Sequence, residues 1–138
     1  MIVVDNDVIS YFWIRMDVGR ASLARDVRKK DDEWREPQVW RSEFRNVLRG
    51  YLAGGYMTLE EALEFADLAE ADLLERTYSI PTAPVLELVA ETGHSAYDCE
   101  YVALAQELDC RLVTGDQDLA DAFSGTAVLM EDFVAEPS

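Results

Sequence analysis

The chain has 138 residues, 49% of them hydrophobic and 29% charged, with 28 Asp and Glu against 12 Lys and Arg and a formal net charge of −16. At about 100–200 residues per domain there is room for one core, over residues 1–138, and the apolar fraction excludes a chain that stays disordered. No apolar run reaches the roughly 18–20 residues of a membrane span, the start Met1-Ile2-Val3-Val4-Asp5 lacks a basic leader, and Cys99 and Cys110 have neither zinc nor disulfide spacing. A cytoplasmic address, no membrane partner and reduced thiols are expected.

Ile2-Val3-Val4 is a fully apolar, β-branched run, which reads as a buried strand of a parallel sheet. The stretch around Trp34 is a weaker strand candidate. Trp40, Phe44, Val47, Leu48, Tyr51 and Leu52 recur at helical spacing and stop at Gly54-Gly55. Thr58-Leu-Glu-Glu61 is a capping box that opens a helix with Ala62, Leu63, Ala66, Ala69 and Leu73 on one side. Thr77–Ile80 is another weak strand. Pro81 fits the first turn of a helix that runs to about Thr92 and ends at Gly93. Ser95-Ala-Tyr-Asp98 is a second capping box, with Tyr97, Tyr101, Leu104, Ala105 and Leu108 as its buried stripe. Leu112-Val113 and Ala127–Met130 complete the strands. The alternation defines an α/β domain with a mainly parallel sheet flanked by helices.

Charge is uneven along the chain. Residues 1–50 hold ten Lys and Arg against nine acids, whereas residues 51–138 hold two against nineteen. Such asymmetry fits either a solubilising acidic face or a basic patch in the first half. Arg41, Arg45 and Arg49 recur every four residues as a ridge away from the apolar stripe, and read equally as a solvated face or as an RNA-contacting edge.

Asp5 and Asp116 follow strands, at the sheet edge where open α/β folds bind ligands. Asp98 stands in the first turn of its helix, and Glu43 flanks the apolar stripe of another. Singly, each has a plainer reading: Asp98 as the acid of a capping box, Glu43 as a boundary residue with its head in water, Asp5 and Asp116 as loop caps. Together they can point four carboxylates at one cleft. Carboxylates without His or Cys select hard ions, so Mg²⁺ or Mn²⁺ is expected rather than zinc. The lone His94, after Gly93, reads as a turn residue and not as a base.

The order Ile2-Val-Val-Asp5-Asn-Asp-Val-Ile9, Ser42-Glu43-Phe-Arg-Asn-Val-Leu48, Ser95-Ala-Tyr-Asp98-Cys-Glu-Tyr-Val-Ala-Leu-Ala105 and Leu112-Val-Thr-Gly-Asp116 resembles the PIN-domain ribonucleases, and in particular the toxins of VapBC-type toxin–antitoxin pairs. The resemblance implies a PIN-like fold and an endoribonuclease using Mg²⁺ or Mn²⁺, with Asp5, Glu43, Asp98 and Asp116 as metal-binding acids and Thr114 and Asp118 nearby. It also implies a cognate antitoxin and a homodimer. The family usually has Ser, Asn or Thr two residues after the first Asp, where this chain has Asp7, so a further charge is added to the site.

Asp5-Asn-Asp7 with Gly115-Asp116 and Asp121 also approximates the acids of haloacid-dehalogenase-like phosphatases, but the only lysines, Lys29 and Lys30, lie in an early charged segment instead of deep in the chain. A catalytically weak protein-binding module is the third alternative, and retention of all four acids speaks against it.

Overall fold

The computed structural model describes residues 1–137; residue 138, the end of the expected domain, lies outside the described residues. Strands β1 (Ile2–Val4), β2 (Trp34–Pro37), β3 (Thr77–Tyr78), β4 (Leu112–Thr114) and β5 (Ala127–Leu129) form one sheet in the order β3-β2-β1-β4-β5. Every pairing is parallel, so the sheet is wholly rather than mainly parallel. Ile2, Val3 and Val4 are all buried although alternate residues face opposite sides of a strand, so helices cover both faces of β1.

Helices α1 (Asn6–Ile14) and α2 (Val18–Lys30) link β1 to β2, and α3 (Val39–Ala53) and α4 (Leu59–Leu73) link β2 to β3. Then α5 (Thr82–Thr92) and α6 (Ala96–Glu107) lead to β4, α7 (Gln117–Ala122) to β5, and α8 (Met130–Ala135) closes the chain. The stripe of α3 buries Trp40, Phe44 and Leu48, and the Thr58–Glu61 box caps α4 in both directions. Gly93 ends α5 at φ 72, the left-handed conformation that glycine adopts without a Cβ penalty.

Four expectations about elements change. Met130 opens α8 instead of extending β5, and Pro81 occupies the N-cap of α5, outside its first turn. Ser95 caps α6 by accepting the Asp98 N–H at 3.1 Å, while the Asp98 carboxylate makes no return bond to Ser95. Finally, α6 has no single buried stripe. Cys99 and Tyr101 to Ala105 are all buried because the helix packs on β1, β2 and β4, whereas Tyr97, in its protruding first turn, is 61% exposed.

Candidate active site

The strand order reverses between β1 and β4, and in an open parallel sheet the crevice beyond the carboxyl ends of such strands is the ligand site. Asp5 ends β1 there, buried at 8% exposure. Its Oδ1 accepts the Asn6 N–H at 2.8 Å, which makes it the N-cap of α1, and its Oδ2 accepts the hydroxyl of buried Thr114 at 2.7 Å. Thr114 Oγ1 in turn accepts the Asp116 N–H at 3.0 Å, so one hydroxyl ties the ends of β1 and β4 together. Asp116 is exposed and caps α7 through Oδ1, which accepts the Asp118 and Leu119 N–H groups at 2.9 and 3.3 Å. The cap readings of Asp5 and Asp116 therefore hold, but each describes only one oxygen. Asp118 is exposed beside Asp116 and enters this network only through its backbone.

Asp7, in the first turn of α1, joins the same edge. Its Oδ1 accepts the Val8 N–H at 2.7 Å and its Oδ2 the Gly115 N–H at 3.0 Å. Gly115 is required by close approach: a Cβ there would stand 2.6 Å from Asp7 Oδ2. The extra acid thus braces the loop after β4.

Glu43 comes from α3 and is half-buried, its Oε1 accepting the hydroxyl of buried Tyr101 at 2.7 Å. That bond replaces the boundary reading, because the head group is held by protein and not by water alone. Asp98 is also half-buried, and its carboxylate stands 3.8 Å from His94 Nδ1. His94 is a turn residue as expected, its N–H donating to Thr92 Oγ1 and its ring packing on Phe123.

Electrostatics link these acids. Burial raises the Asp5 carboxyl well above its ordinary 3.8, the Asp7 charge pushes it further and Asp98 adds to this, against the bonds from Thr114 and Asn6. Burial also raises Asp7 to about 6, opposed by the Val8 and Gly115 N–H groups and reinforced by Asp116. Glu43 is raised by burial and by Asp98 and Glu100, with the Tyr101 hydroxyl opposing. The ionised cleft is thus disfavoured in the metal-free protein, the condition a bound cation relieves. Among the described residues no three His, Cys, Asp or Glu side chains stand close enough to close directly on a metal ion. The donors nonetheless suit a hard ion such as Mg²⁺, which keeps several of its own waters and needs only one or two carboxylates in direct contact.

Three residues beyond the sequence reading belong to this region. Glu36 of β2 is fully buried, accepts the Val4 N–H at 3.0 Å through Oε1, and leaves Oε2 without a partner. Burial raises its carboxyl well above 4.5, with Asp5 and Glu43 adding to the effect. Its signal in the sequence is position, since Trp34 and Glu36 share one face of a strand. Tyr101, read only as core, fixes Glu43. Tyr97 lines a cavity of about 420 Å³ with Asn6, Ser42, Glu43 and Asn46.

The arginine ridge divides. Arg41 is bound on two nitrogens to Glu70 at 3.1 and 3.2 Å, whereas Arg45 and Arg49 are exposed and make no ion pair among the described residues. Lys29 and Lys30 both lie on α2, with the Lys30 ammonium donating to the Phe133 and Glu136 carbonyls. Neither serves as a phosphatase lysine at the cleft.

An all-parallel sheet with carboxylates at the strand ends beside its switch point defines the class of open α/β proteins whose ligands bind at that edge. The chain belongs to the PIN domain family, which matches residues 2–123. That membership indicates a metal-dependent nuclease. The crystal structure of PAE2754 from Pyrobaculum aerophilum is similar in fold, with a TM-score of 0.74 at 19% identity over 96% of this chain and 85% of that one. Among curated proteins no relative matches the chain at a significant level. No helix among the described residues is long and apolar enough to cross a membrane.

Proposed function

We propose that the chain is a metal-dependent endoribonuclease that hydrolyses RNA phosphodiester bonds, with Asp5, Glu43, Asp98 and Asp116 as its catalytic acids and Mg²⁺ or Mn²⁺ as its cofactor. The observation that carries the reading is Asp5, a carboxyl at the β1–β4 switch point whose ionisation is opposed first by burial and then by Asp7 and Asp98 in the absence of a cation. When bound, the metal supplies an activated water and stabilises the charge that develops on phosphate and leaving oxygen. The protein's part is positioning. Thr114 and the Asn6 N–H hold Asp5, Tyr101 holds Glu43, and Asp116 is held through Oδ1 by the N–H groups of α7. Asp98 makes no return bond to its own cap, and its Oδ2 stands 3.8 Å from His94 Nδ1. Asp7 and Thr114 are accessory residues that fix the two strand ends.

Within this reading the protein acts in the cytoplasm as the toxin of a toxin–antitoxin pair, forms a homodimer, and is silenced by an antitoxin that brings a cationic side chain to the acidic cleft. The support is the motif order in the sequence and the excess of carboxylate at the cleft, for which Arg or Lys competes with metal. Asp98→Asn tests the chemistry, because it retains side-chain shape and removes one charge. The variant should stay folded and lose Mg²⁺-dependent RNA cleavage; undiminished turnover refutes the assignment. Co-expression with the neighbouring reading frame tests the partner, a stable complex with suppressed cleavage being the expected outcome.

A further inference from the structure

Two cavities meet at Ser42 on α3. One is lined by Glu43, Tyr97 and Asn6, the residue next to Asp5. The other, about 470 Å³, lies between the start of α3 and β3, and Gln38, Arg41, Ser42, Arg45, Tyr78 and Ser79 contribute to its walls. Its volume falls in the range of small-ligand sites, roughly 300–1,000 Å³. No carboxylate lines it, in a chain of net charge −16, while two guanidinium groups do.

We propose that this second cavity is a nucleotide subsite, which takes the phosphate and base of single-stranded RNA next to the position that is cut. Its place in the cleavage reaction rests on the nuclease reading; its ability to bind RNA does not. Arg45 takes the phosphate. It is exposed and makes no ion pair among the described residues, so contact with RNA breaks nothing in the protein. Arg41 is locked by Glu70 and serves as a fixed wall. Tyr78 is half-buried, its hydroxyl 3.5 Å from an Arg35 nitrogen, and offers aromatic surface for a base; stacking of this kind is tolerant of sequence. Gln38, Ser42 and Ser79 supply the amide and hydroxyl groups that reach a ribose or a base edge. Arg49, one turn beyond Arg45, lines neither cavity and takes no phosphate here.

The test uses a short single-stranded RNA of mixed sequence, measured by fluorescence anisotropy over a series of salt concentrations, in chelator and again with Ca²⁺. Arg45→Gln should weaken binding roughly tenfold and flatten the salt slope by about 0.7. Ser79→Glu, an exposed position where the new charge enters the cavity, should weaken binding comparably. Arg49→Gln should match the parent. Circular dichroism checks that each variant is folded. Equal losses for Arg45→Gln and Arg49→Gln, a parent-like Ser79→Glu, or a parent that binds no RNA under either condition overturns the subsite. Cleavage assays separate the two readings: cleavage that does not depend on Arg45 overturns the subsite and leaves the nuclease, whereas Arg45-dependent binding without cleavage overturns the nuclease and leaves the subsite.

Discussion

Replacing Asp7 with Asn should change stability in opposite directions at low and high pH. The folded, metal-free protein holds the Asp7 carboxyl at about 6 against an ordinary 3.8, chiefly through burial and then through Asp116. An acid whose folded value is raised contributes its full share of stability below the unfolded value and loses it as pH rises through the folded one, so stability drains between roughly 3.8 and 6. Above that window the ionised group costs about 3 kcal/mol, at 1.36 kcal/mol per tenfold change in proton affinity; this is an upper bound, since Asp7 keeps some contact with solvent. Asn removes the cost. It also presents an amide where Gly115 needs an acceptor, which sacrifices one hydrogen bond worth about 1 kcal/mol.

The net gain near pH 8 is about 1–2 kcal/mol, or roughly 5 °C in melting temperature for a chain of this size. Near pH 3 the Asp7 carboxyl is largely neutral in both the folded and the unfolded chain, and the Gly115 bond alone distinguishes the proteins, so the variant should melt a few degrees below the parent. A divalent ion reverses the comparison. At about a hundred times its dissociation constant it adds roughly 2.7 kcal/mol to the form that binds it, and the variant, with less repulsion to relieve, should gain less than the parent. Thermal melts at the two pH values, with chelator and with excess Mg²⁺ or Mn²⁺, provide the measurement. An offset between the proteins that is the same at both pH values refutes the electrostatic reasoning.

Glu36→Gln should stay within about 1 kcal/mol of the parent at neutral pH, because burial disfavours the charged carboxylate and the neutral Gln keeps an acceptor for the Val4 N–H. Glu36→Ala should cost about 2–4 kcal/mol in denaturant unfolding through a cavity and an orphaned donor, and equal losses for the two variants refute the view that the neutral isostere fits this site. Tyr101→Phe leaves Glu43 unheld; metal titration should show weakened binding and cleavage should fall roughly tenfold, while stability drops by about 1 kcal/mol. Gly115→Ala drives a Cβ into Asp7 Oδ2 and should cost about 1–3 kcal/mol, but much less in an Asp7→Ser background; the absence of coupling in that double-mutant cycle places the strain elsewhere.

The sheet was legible because its central strands are buried on both faces. Ile2-Val3-Val4 and Leu112-Val113 are unbroken apolar runs, and such runs have no surface equivalent. The stripe of α3 and the Thr58 box carried local signals of the same strength. In contrast, α6 is buried on nearly every side beyond its first turn, so periodicity could not say that Tyr97 leaves the protein and Tyr101 enters it. Asp5 and Asp116 were legible as positions at strand ends, Asp98 as one at a helix start and Glu43 as one beside an apolar stripe. The partners that orient them were not, because the Tyr101 to Glu43 and Thr114 to Asp5 bonds join residues 58 and 109 apart in sequence. Glu36 is the clearest case: only burial distinguishes an interior carboxyl from the acids of the surface.

The same tertiary pairing resolves the uneven charge. Ten basic residues in the first fifty suggest a patch, yet Arg20, Arg28, Arg35 and Arg41 are each paired with a carboxylate, at Glu131, Asp72, Glu33 and Glu70. Three of those partners come from the acidic second half, so much of the basic charge joins the two halves of the fold instead of facing outward. Arg28 shows what this does for the core: besides its two bonds to Asp72, its guanidinium lies 4.7 Å from the ring centre of buried Trp34. Few cations then remain to hold a polyanion. Two of them, Arg45 and Arg49, stand on α3, the helix that also carries Glu43, and neither makes an ion pair among the described residues. Along α3 the exposed Arg45 guanidinium lowers the barrier that this acidic surface sets to a phosphate chain, and that local attraction falls as salt screens it over about 8 Å at physiological ionic strength.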